Sequence, residues 1–425
     1  MYPILKDNCI LVKQKGDSLL HCFNSMGITT ELINKTAAEI LELCDGSKTL
    51  SEISDIIAKK YNESHDKVNN IVKNFIDVCI EKGYVEIKGE KIDKSCQKAK
   101  GSFDLYVPSL VTLEVTKRCN FECLHCYNQV DISHKELTLD EINDIFGLLS
   151  EYGVMKLIIT GGEPTLRKDL TKIIEKASRK FKLVTVISNG YFITDDFVNN
   201  IGEYKNVIFQ ISIDGLEETH DLIRGKKDSF KRALEAINRL NKKNIYTVVA
   251  CTINQLNFSE LALLTEVVKK SGAKQIRFGI LMYLGKAKEN QYLFPKMPLE
   301  NIIKIVNNLK KKYQDENFFV GDADFKTDTL ASQNNCGAGY QLLYIDSEGN
   351  VFPCPSFRYY LGNVRTDSLY NILSSSKLDV LKNLESPGSA LCSECRNSVY
   401  CHSCSGVAYS LDFYKCRWKE QLRTN

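Results

Sequence analysis

Long apolar runs are missing from this chain of 425 residues. No stretch approaches the roughly 20 apolar residues that cross a bilayer, so no membrane partner is expected. The first residues, MYPILKDNCILVKQKGD, lack the basic start and apolar centre of a secretory signal, and the expected location is the cytoplasm. Strong charge bias is missing too. The formal net charge is +3 with the two signs interspersed, which argues against a nucleic acid or other polyanion as partner. Hydrophobic residues at 43% and charged residues at 26% are ordinary for a globular protein, and the length allows two or three domains.

Cysteine is what the chain has in excess. Of its 16 cysteines, three fall within residues 119–126 and seven within 336–416. Without a secretory signal, such clustering points to metal or cluster ligation rather than to disulfides. The remaining Cys9, Cys22, Cys44, Cys79, Cys96 and Cys251 are scattered and read as small buried hydrophobes or inert thiols.

Residues 1–88 open with the alternating stretches CILVKQ, SLLHCF and ITTEL, a three-stranded meander. Three helical patterns follow. Asn34 caps the first, Ile53, Ile56 and Ile57 share a face of the second, and positions 68, 71, 72, 75, 76 and 79 form the apolar stripe of the third, which stops at Gly83. The strand YVEIK closes a unit ordered like a winged helix-turn-helix. Basic excess is again lacking: residues 50–82 carry five lysines against six acids, so a peptide or protein is expected there rather than DNA. The outer strand of the meander is able to accept an extended peptide by strand addition.

A Lys-rich linker is expected over 89–108. From 109 to 290 the strands LVTLEVT, KLIIT, LVTVIS, VIFQISID, YTVVACTI and QIRFGIL alternate with helices, several with capping boxes, Thr138 with Glu141 and Asn257 with Glu260. That alternation means a parallel sheet of six βα units, either open or an incomplete barrel. A bridging region over 291–335 leads to a loop-rich, cysteine-rich segment, 336–425.

The stretch CNFECLHCYN follows directly on the first core strand, at the end where active sites of such folds lie. Structural zinc almost always has four protein ligands, whereas Cys119, Cys123 and Cys126 have no fourth partner nearby. A zinc site with a distant fourth ligand is the competing explanation. The spacing C-x3-C-x2-C resembles the radical S-adenosylmethionine superfamily, as do TGGEP at 160–164, SNG at 188–190, SIDG at 212–215 and HDLIRG at 220–225, each at a strand end or following one. The resemblance implies that the three cysteines hold three irons of a 4Fe–4S cluster. The fourth iron is then chelated by the amino and carboxylate groups of S-adenosylmethionine. It further implies cosubstrate contacts from Gly161, Gly162, Glu163, Ser188, Ser212 and Arg224, with the backbone of His125 at adenine. Glycines let carbonyls approach the ammonium, Glu163 adds a charge-assisted contact, and Arg224 offers a planar fork to the carboxylate.

The cysteine-rich segment contains Cys336, G-x4-C ending at Cys354, the run Cys392, Cys395, Cys401, Cys404, and finally Cys416. It resembles the SPASM extension of radical enzymes acting on peptides, which implies auxiliary iron–sulfur clusters; a zinc ribbon is the alternative. The last pair is spaced C-x2-C where the family usually has C-x3-C. Carried over by position, Cys392, Cys395, Cys401 and Cys416 make one closed cluster, and Cys336, Cys354 and Cys404 hold the other. The stretch TDTLASQNN before Cys336 has no fourth cysteine, so another group completes that cluster or an open iron takes a substrate thiolate. Pro355 stands where sulfatase-maturing relatives have an aspartate base, which counts against that activity. Asp346 is a nearby acid, but its DSEGN turn explains it.

The stretch INKTAAEILELCDGSKTLSEISDII resembles the PqqD-like domain that holds the leader of a ribosomally made precursor peptide. Together the resemblances imply an α/β fold: a partial (β/α)6 TIM-type barrel with an N-terminal winged-helix-like domain and a C-terminal loop-rich iron–sulfur domain. The function implied is a maturase that abstracts hydrogen from the peptide and forms a cross-link, a cysteine-to-carbon thioether. Carbon–carbon cross-linking or side-chain oxidation is the alternative, and a non-catalytic iron–sulfur regulator the reading from another class. A flavodoxin or ferredoxin is the implied electron donor.

Overall fold

The computed structural model describes residues 1–24, 27–92, 99–128, 135–322, 335–388, 392, 395, 401, 403–411 and 416–422. Cys96 and most of the stretch before Cys336 lie outside them. The chain divides into two compact units, Met1–Val107 with Glu151–Gly153, and Pro108–Ser150 with Val154–Asn425.

In the first unit, β1 (Tyr2–Leu5), β2 (Cys9–Lys13), β3 (Ser18–Asn24) and β4 (Gly27–Ile33) precede α1 (Lys35–Leu43), α2 (Leu50–Tyr61) and α3 (His65–Glu81), followed by β5 (Val85–Lys88) and β6 (Ala99–Gly101). The meander forms as its alternation requires, β2 and β4 each running antiparallel to β3. β6 adds in parallel to β2, so the sheet order is β4-β3-β2-β6 and, among the described residues, β4 has an open edge. YVEIK pairs antiparallel with β1, a strand the sequence pattern did not reveal. Asn34 caps α1 by accepting from Ala37 N at 2.9 Å. Gly83, at φ 76°, supplies the left-handed turn that ends α3.

Two apolar positions assigned to helix faces prove to lie outside. α2 buries Ile53 and Ile57 but leaves Ile56 40% exposed; α3 buries Val68, Val72, Ile76 and Cys79 but leaves Ile71 53% exposed. Adjacent helical positions differ by about 100° of rotation, so a stripe of i, i+4 steps excludes the residue beside it. Cys9, Cys22, Cys44 and Cys79 sit in this core as expected of small apolar side chains.

The second unit alternates β7 (Leu110–Glu114), α4 (Leu139–Tyr152), β8 (Lys156–Thr160), α5 (Leu170–Lys180), β9 (Leu183–Ser188), α6 (Asp195–Asn200), β10 (Val207–Ser212), α7 (Glu217–Arg224), α8 (Ser229–Lys242), β11 (Thr247–Ile253), α9 (Leu261–Lys270), β12 (Gln275–Ile280), α10 (Leu299–Tyr313) and β13 (Phe319–Asp322). β14 (Leu342–Ile345), β15 (Asn350–Phe352) and β16 (Gly362–Asn363) follow, with α11 (Leu369–Leu373), α12 (Ser376–Asn383), α13 (Ser405–Ser410) and α14 (Arg417–Glu420). From β7 to β13 the strand order in the sheet equals the order in the chain, and every pairing is parallel. A doubly wound sheet would reverse direction at a switch point; this one never does, so right-handed crossovers place all helices on one face. That is the wall of a barrel. The described strands end at β13 on one side and β16 on the other without closing.

β14 pairs in parallel with β7, and β15 and β16 continue antiparallel, so the segment that carries the second set of cysteines is built onto the core sheet. In β9 and β10, Val184, Val186, Phe209 and Ile211 are fully buried while the alternate Ile187, Gln210 and Ser212 are half-buried. One face therefore meets the helices and the other lines a less crowded interior. Thr138 and Glu141 form the expected capping box, at 2.7 and 3.2 Å. Asn257 and Glu260 do not. Asn257 is fully buried and accepts from Asn254 N, while Glu260 accepts from Leu216 N and Thr219 Oγ1, so both carboxamide and carboxylate are spent on holding loops at the strand ends.

Candidate cofactor site at the strand ends

The three-cysteine loop is held from several directions by backbone bonds. Gly162 N donates to Thr116 O at 2.7 Å and Glu163 N to Arg118 O at 2.8 Å. Leu124 N donates to Ile223 O at the end of α7, and Lys286 N, beyond β12, donates to Cys126 O. A Cβ on Gly161 would stand 2.6 Å from Thr116 O and one on Gly162 2.4 Å from Arg118 O, so these glycines are what lets two loops touch.

Glu163 joins the next two strand ends. Its buried carboxylate accepts from Thr165 N and Oγ1, Ser188 Oγ at 2.8 Å and Asn189 N at 2.7 Å. Burial pushes its carboxyl up, and those donors oppose the shift. Both oxygens thus have partners within the protein, Ser188 among them. Asn189 in turn donates to Asn120 Oδ1 at 2.9 Å, tying the SNG turn to the cysteine loop.

The centre of the site is a residue that sequence reasoning passed over, Asp214. It is fully buried, and its carboxylate accepts from His125 Nε2, Arg224 Nη2 and Thr252 N, each at 2.7 Å. Burial opposes its ionisation, but Arg224 and His125 outweigh that and hold it well below the usual carboxylate range. Arg224 places Nη1 3.9 Å from Cys123 Sγ. Burial raises the Cys123 thiol and Arg224 opposes the shift. His220 accepts from Asp214 N at 3.0 Å, and burial together with Arg224 lowers its imidazole to about 3. Ser212, one register step before this network, is half-buried.

The donor set fits an iron–sulfur cluster and a polar cosubstrate. The three cysteines share one loop, in which Cys126 N donates to Cys123 O at 3.2 Å, and burial pushes the Cys119 thiol up to about 11, with Cys123 and Cys126 adding to the shift. Buried thiols that repel one another as thiolates ionise together only around a polycation, and an all-sulfur set suits iron rather than magnesium or calcium. Two buried donors beside the loop, Arg224 Nε and Asn120 Nδ2, have no partner among the described residues.

The second set of cysteines falls into two overlapping groups. Burial pushes Cys354 up to about 12, with Cys404 and Cys336 adding. Burial also pushes Cys401 up to about 12, with Cys404, Cys392, Cys416 and Cys395 adding. Cys404 contributes to both, and its N–H donates to Cys401 O at 2.9 Å. Arg358, four residues past Cys354, donates from Nη2 to Asn128 Oδ1 at 3.4 Å, which ties this segment to the residues directly after the first set. Asp346 is occupied by its turn, accepting from Glu348 N at 3.0 Å and Asn350 N at 2.9 Å.

Comparison with known proteins adds the following. Residues 113–266 match the Radical SAM superfamily, residues 336–397 an iron–sulfur cluster-binding domain called SPASM, and residues 32–85 the coenzyme PQQ synthesis protein D family. The sporulation killing factor maturation protein SkfB of Bacillus subtilis (strain 168) is 33% identical over 288 residues, spanning 66% of this chain and 68% of SkfB. The antilisterial bacteriocin subtilosin biosynthesis protein AlbA of the same strain is 27% identical over 406 residues, spanning 92% of this chain and 89% of AlbA. Among solved structures, Streptococcus suis SuiB bound to its precursor peptide SuiA superposes with a TM-score of 0.69 at 12% identity, covering 92% of each chain, a likeness of fold.

Proposed function

The chain belongs to the radical S-adenosylmethionine superfamily, and from that premise we propose that it matures a ribosomally made precursor peptide by forming a thioether between a peptide cysteine and a carbon. The family's cofactors are a 4Fe–4S cluster and S-adenosylmethionine, which when bound supply a 5′-deoxyadenosyl radical able to take hydrogen from carbon. In this reading Cys119, Cys123 and Cys126 hold the cluster. Gly161, Gly162, Glu163, Ser188, Ser212, Arg224 and the His125 backbone surround the cosubstrate, and Glu163 and Ser188 also brace the loops around it.

The observation that carries the reading is that the two cysteine-bearing segments are neighbours: β14 pairs with β7, the strand that leads into the three-cysteine loop, and Arg358, four residues past Cys354, donates to Asn128 Oδ1, two residues past Cys126, at 3.4 Å. A peptide carbon and a peptide thiol have to be presented together, and only the space between two sulfur-rich sites offers both a radical source and a soft metal. Cys336, Cys354 and Cys404 would hold the other auxiliary cluster, completed by another group or, in this reading, left with an open position. That vacancy suits a substrate thiolate. Cys392, Cys395, Cys401 and Cys416 make the closed group. Residues 1–88 hold the leader, with the open edge of β4 as the strand-adding surface, and SuiB with SuiA and the maturation protein SkfB are the parallels. A flavodoxin or ferredoxin supplies the electron.

Mass spectrometry of the precursor peptide after anaerobic turnover with dithionite tests this. The expected product has lost two hydrogens and has one thiol fewer to alkylate. Loss of two hydrogens with every thiol still reactive would instead establish a carbon–carbon bond.

A further inference from the structure

We propose that Cys9 and Cys22 are a modification site, a pair of thiols in the first unit that a two-electron oxidant such as hydrogen peroxide joins into a reversible disulfide, fixing β2 to β3. The pair belongs to neither set of cluster cysteines, so it stands apart from the reading above.

Strand register makes the pair. β2 and β3 run antiparallel with Cys9 directly opposite Cys22 and Leu11 opposite Leu20. Opposed residues in such a ladder alternate between pairs that exchange backbone hydrogen bonds and pairs that do not. Phe23 N donates to Asn8 O at 2.8 Å, so the bonded pair is the neighbouring one, and Cys9 N turns away to Lys6 O at 2.9 Å. Cys9 and Cys22 are therefore a non-bonded pair. Such pairs hold their Cα atoms about 4.5 Å apart, within the roughly 4.4–6.8 Å that a disulfide spans. Both side chains leave the face of the sheet that packs on the core with Leu11 and Leu20. Their sulfurs already meet, Cys9 Sγ donating to Cys22 Sγ at 3.0 Å. Closing the bond needs a further approach of the sulfurs and no change of register.

The other thiols of this core are held differently. Cys44 Sγ donates to Ile40 O at 3.2 Å, and Cys79 comes from α3, where no strand register sets it opposite a sulfur. The hydrogen bond from Cys9, and burial after it, push the Cys22 thiol up, which keeps the pair protonated and slow to react at neutral pH. The pair therefore answers sustained oxidation rather than a brief exposure. Cys9 has no exposure and Cys22 has 8%, so a small oxidant meets Cys22 first. Peroxide gives one oxygen to the Cys22 sulfur, forming a sulfenic acid and releasing water. The Cys9 sulfur then displaces that oxygen as a second water and leaves the S–S bond. Two electrons pass from the sulfurs to peroxide, and both thiol protons end in water. The bond closes a loop around the β2–β3 hairpin and so removes its opened conformations. β3 carries β4 on its other side, so the sheet that offers the β4 edge becomes stiffer.

The test treats the full-length holoenzyme with the thiol oxidant diamide, blocks the remaining thiols with iodoacetamide, and digests with trypsin without reduction. Lys13 and Lys15 lie between the two cysteines, so cleavage there parts Cys9 from Cys22 unless sulfur joins them. Most of the Cys9 peptide is expected joined to the Cys22 peptide, two hydrogens lighter than their sum, and freed by dithiothreitol. Cys22→Ala leaves Cys9 alkylated. In the joined protein the backbone amides of β2 and β3 exchange hydrogen about tenfold more slowly, because the open state is restricted. Complete alkylation of Cys9 and Cys22 after treatment overturns the proposal, as does linkage spread equally to Cys44 and Cys79. Unchanged exchange in the joined protein overturns the fixing of β2 to β3. Every readout comes from the first unit, so the result stands whether or not the cluster reading holds.

Discussion

Replacing Asp214 with alanine abolishes 5′-deoxyadenosine release and lowers the unfolding free energy by about 3–5 kcal/mol, the cost of removing one partner of a buried ion pair. The size follows from what is left behind. Arg224 has a side chain only 11% exposed and stands 2.7 Å from a carboxylate with no exposure at all. Without that carboxylate the guanidinium is a buried charge with no counterion, and His125 Nε2 and Thr252 N lose their acceptor as well. The loop between Cys123 and Cys126 is pinned through His125, so the damage reaches the thiols. Chemical denaturation of the metal-free chain measures the stability term. Asp214→Asn separates position from folding, since the amide oxygen still accepts while its charge is gone. That variant is expected to fold and to take up iron, but to bind S-adenosylmethionine at least tenfold more weakly, because Arg224 is no longer oriented by a full negative charge. Unaltered cosubstrate affinity in Asp214→Asn would show that Asp214 only supports the fold.

Cys404→Ala is expected to have the opposite signature. It leaves 5′-deoxyadenosine release in place, because Cys119, Cys123 and Cys126 are untouched, yet it removes the cross-linked peptide. The thiol of Cys404 contributes to the environment of Cys354 and of Cys401, and its backbone N–H donates to Cys401 O at 2.9 Å. Its loss therefore reaches both cysteine groups, whereas loss of Cys395, the exposed member, reaches one. Iron and sulfide counting on anaerobically prepared protein checks the first half, and peptide mass spectrometry the second. Product formation at the unaltered rate by Cys404→Ala would refute a role for the second cysteine set in bond formation. Cys44→Ala, a thiol buried in the first unit's core, serves as the control and keeps its iron.

The parts legible in the sequence are those written locally. The strand-helix alternation, the meander, the Asn34 and Thr138 caps and the strand-end motifs each depend on neighbours within a few residues. Whether the sheet was open or barrel-like depended on strand order, which hydrophobic periodicity does not encode. The one-directional order from β7 to β13 decides it. β13 and β14 were missed for a related reason: FVGD and LLYI are short, and their assignment comes from docking onto β12 and β7. Asn257 and Glu260 had capping-box spacing but were taken by longer-range donors and acceptors, a tertiary demand outweighing a local preference.

The same distinction holds at the site. Cysteine spacing announced itself, but Asp214 stood unremarked inside the strand-end stretch SIDG. Its partner His125 lies 89 positions away in the chain, and no local pattern pairs them. One signal was present: an acid directly after a strand alternating Val207, Phe209, Ile211 and Ile213 into the core is costly unless cations meet it. Glu163 was marked by its motif alone, and the periodicity gave no sign that its carboxylate also accepts from Thr165, Ser188 and Asn189 and so joins two strand ends.

The most direct measurement is release of 5′-deoxyadenosine by protein assembled without oxygen, reduced, and given S-adenosylmethionine with its precursor peptide. Release by the unaltered enzyme and none from Cys123→Ala is the predicted result. No release from the unaltered enzyme under those conditions, with iron and sulfide present in full, would contradict the assignment of the Cys119, Cys123 and Cys126 loop as a radical-generating site.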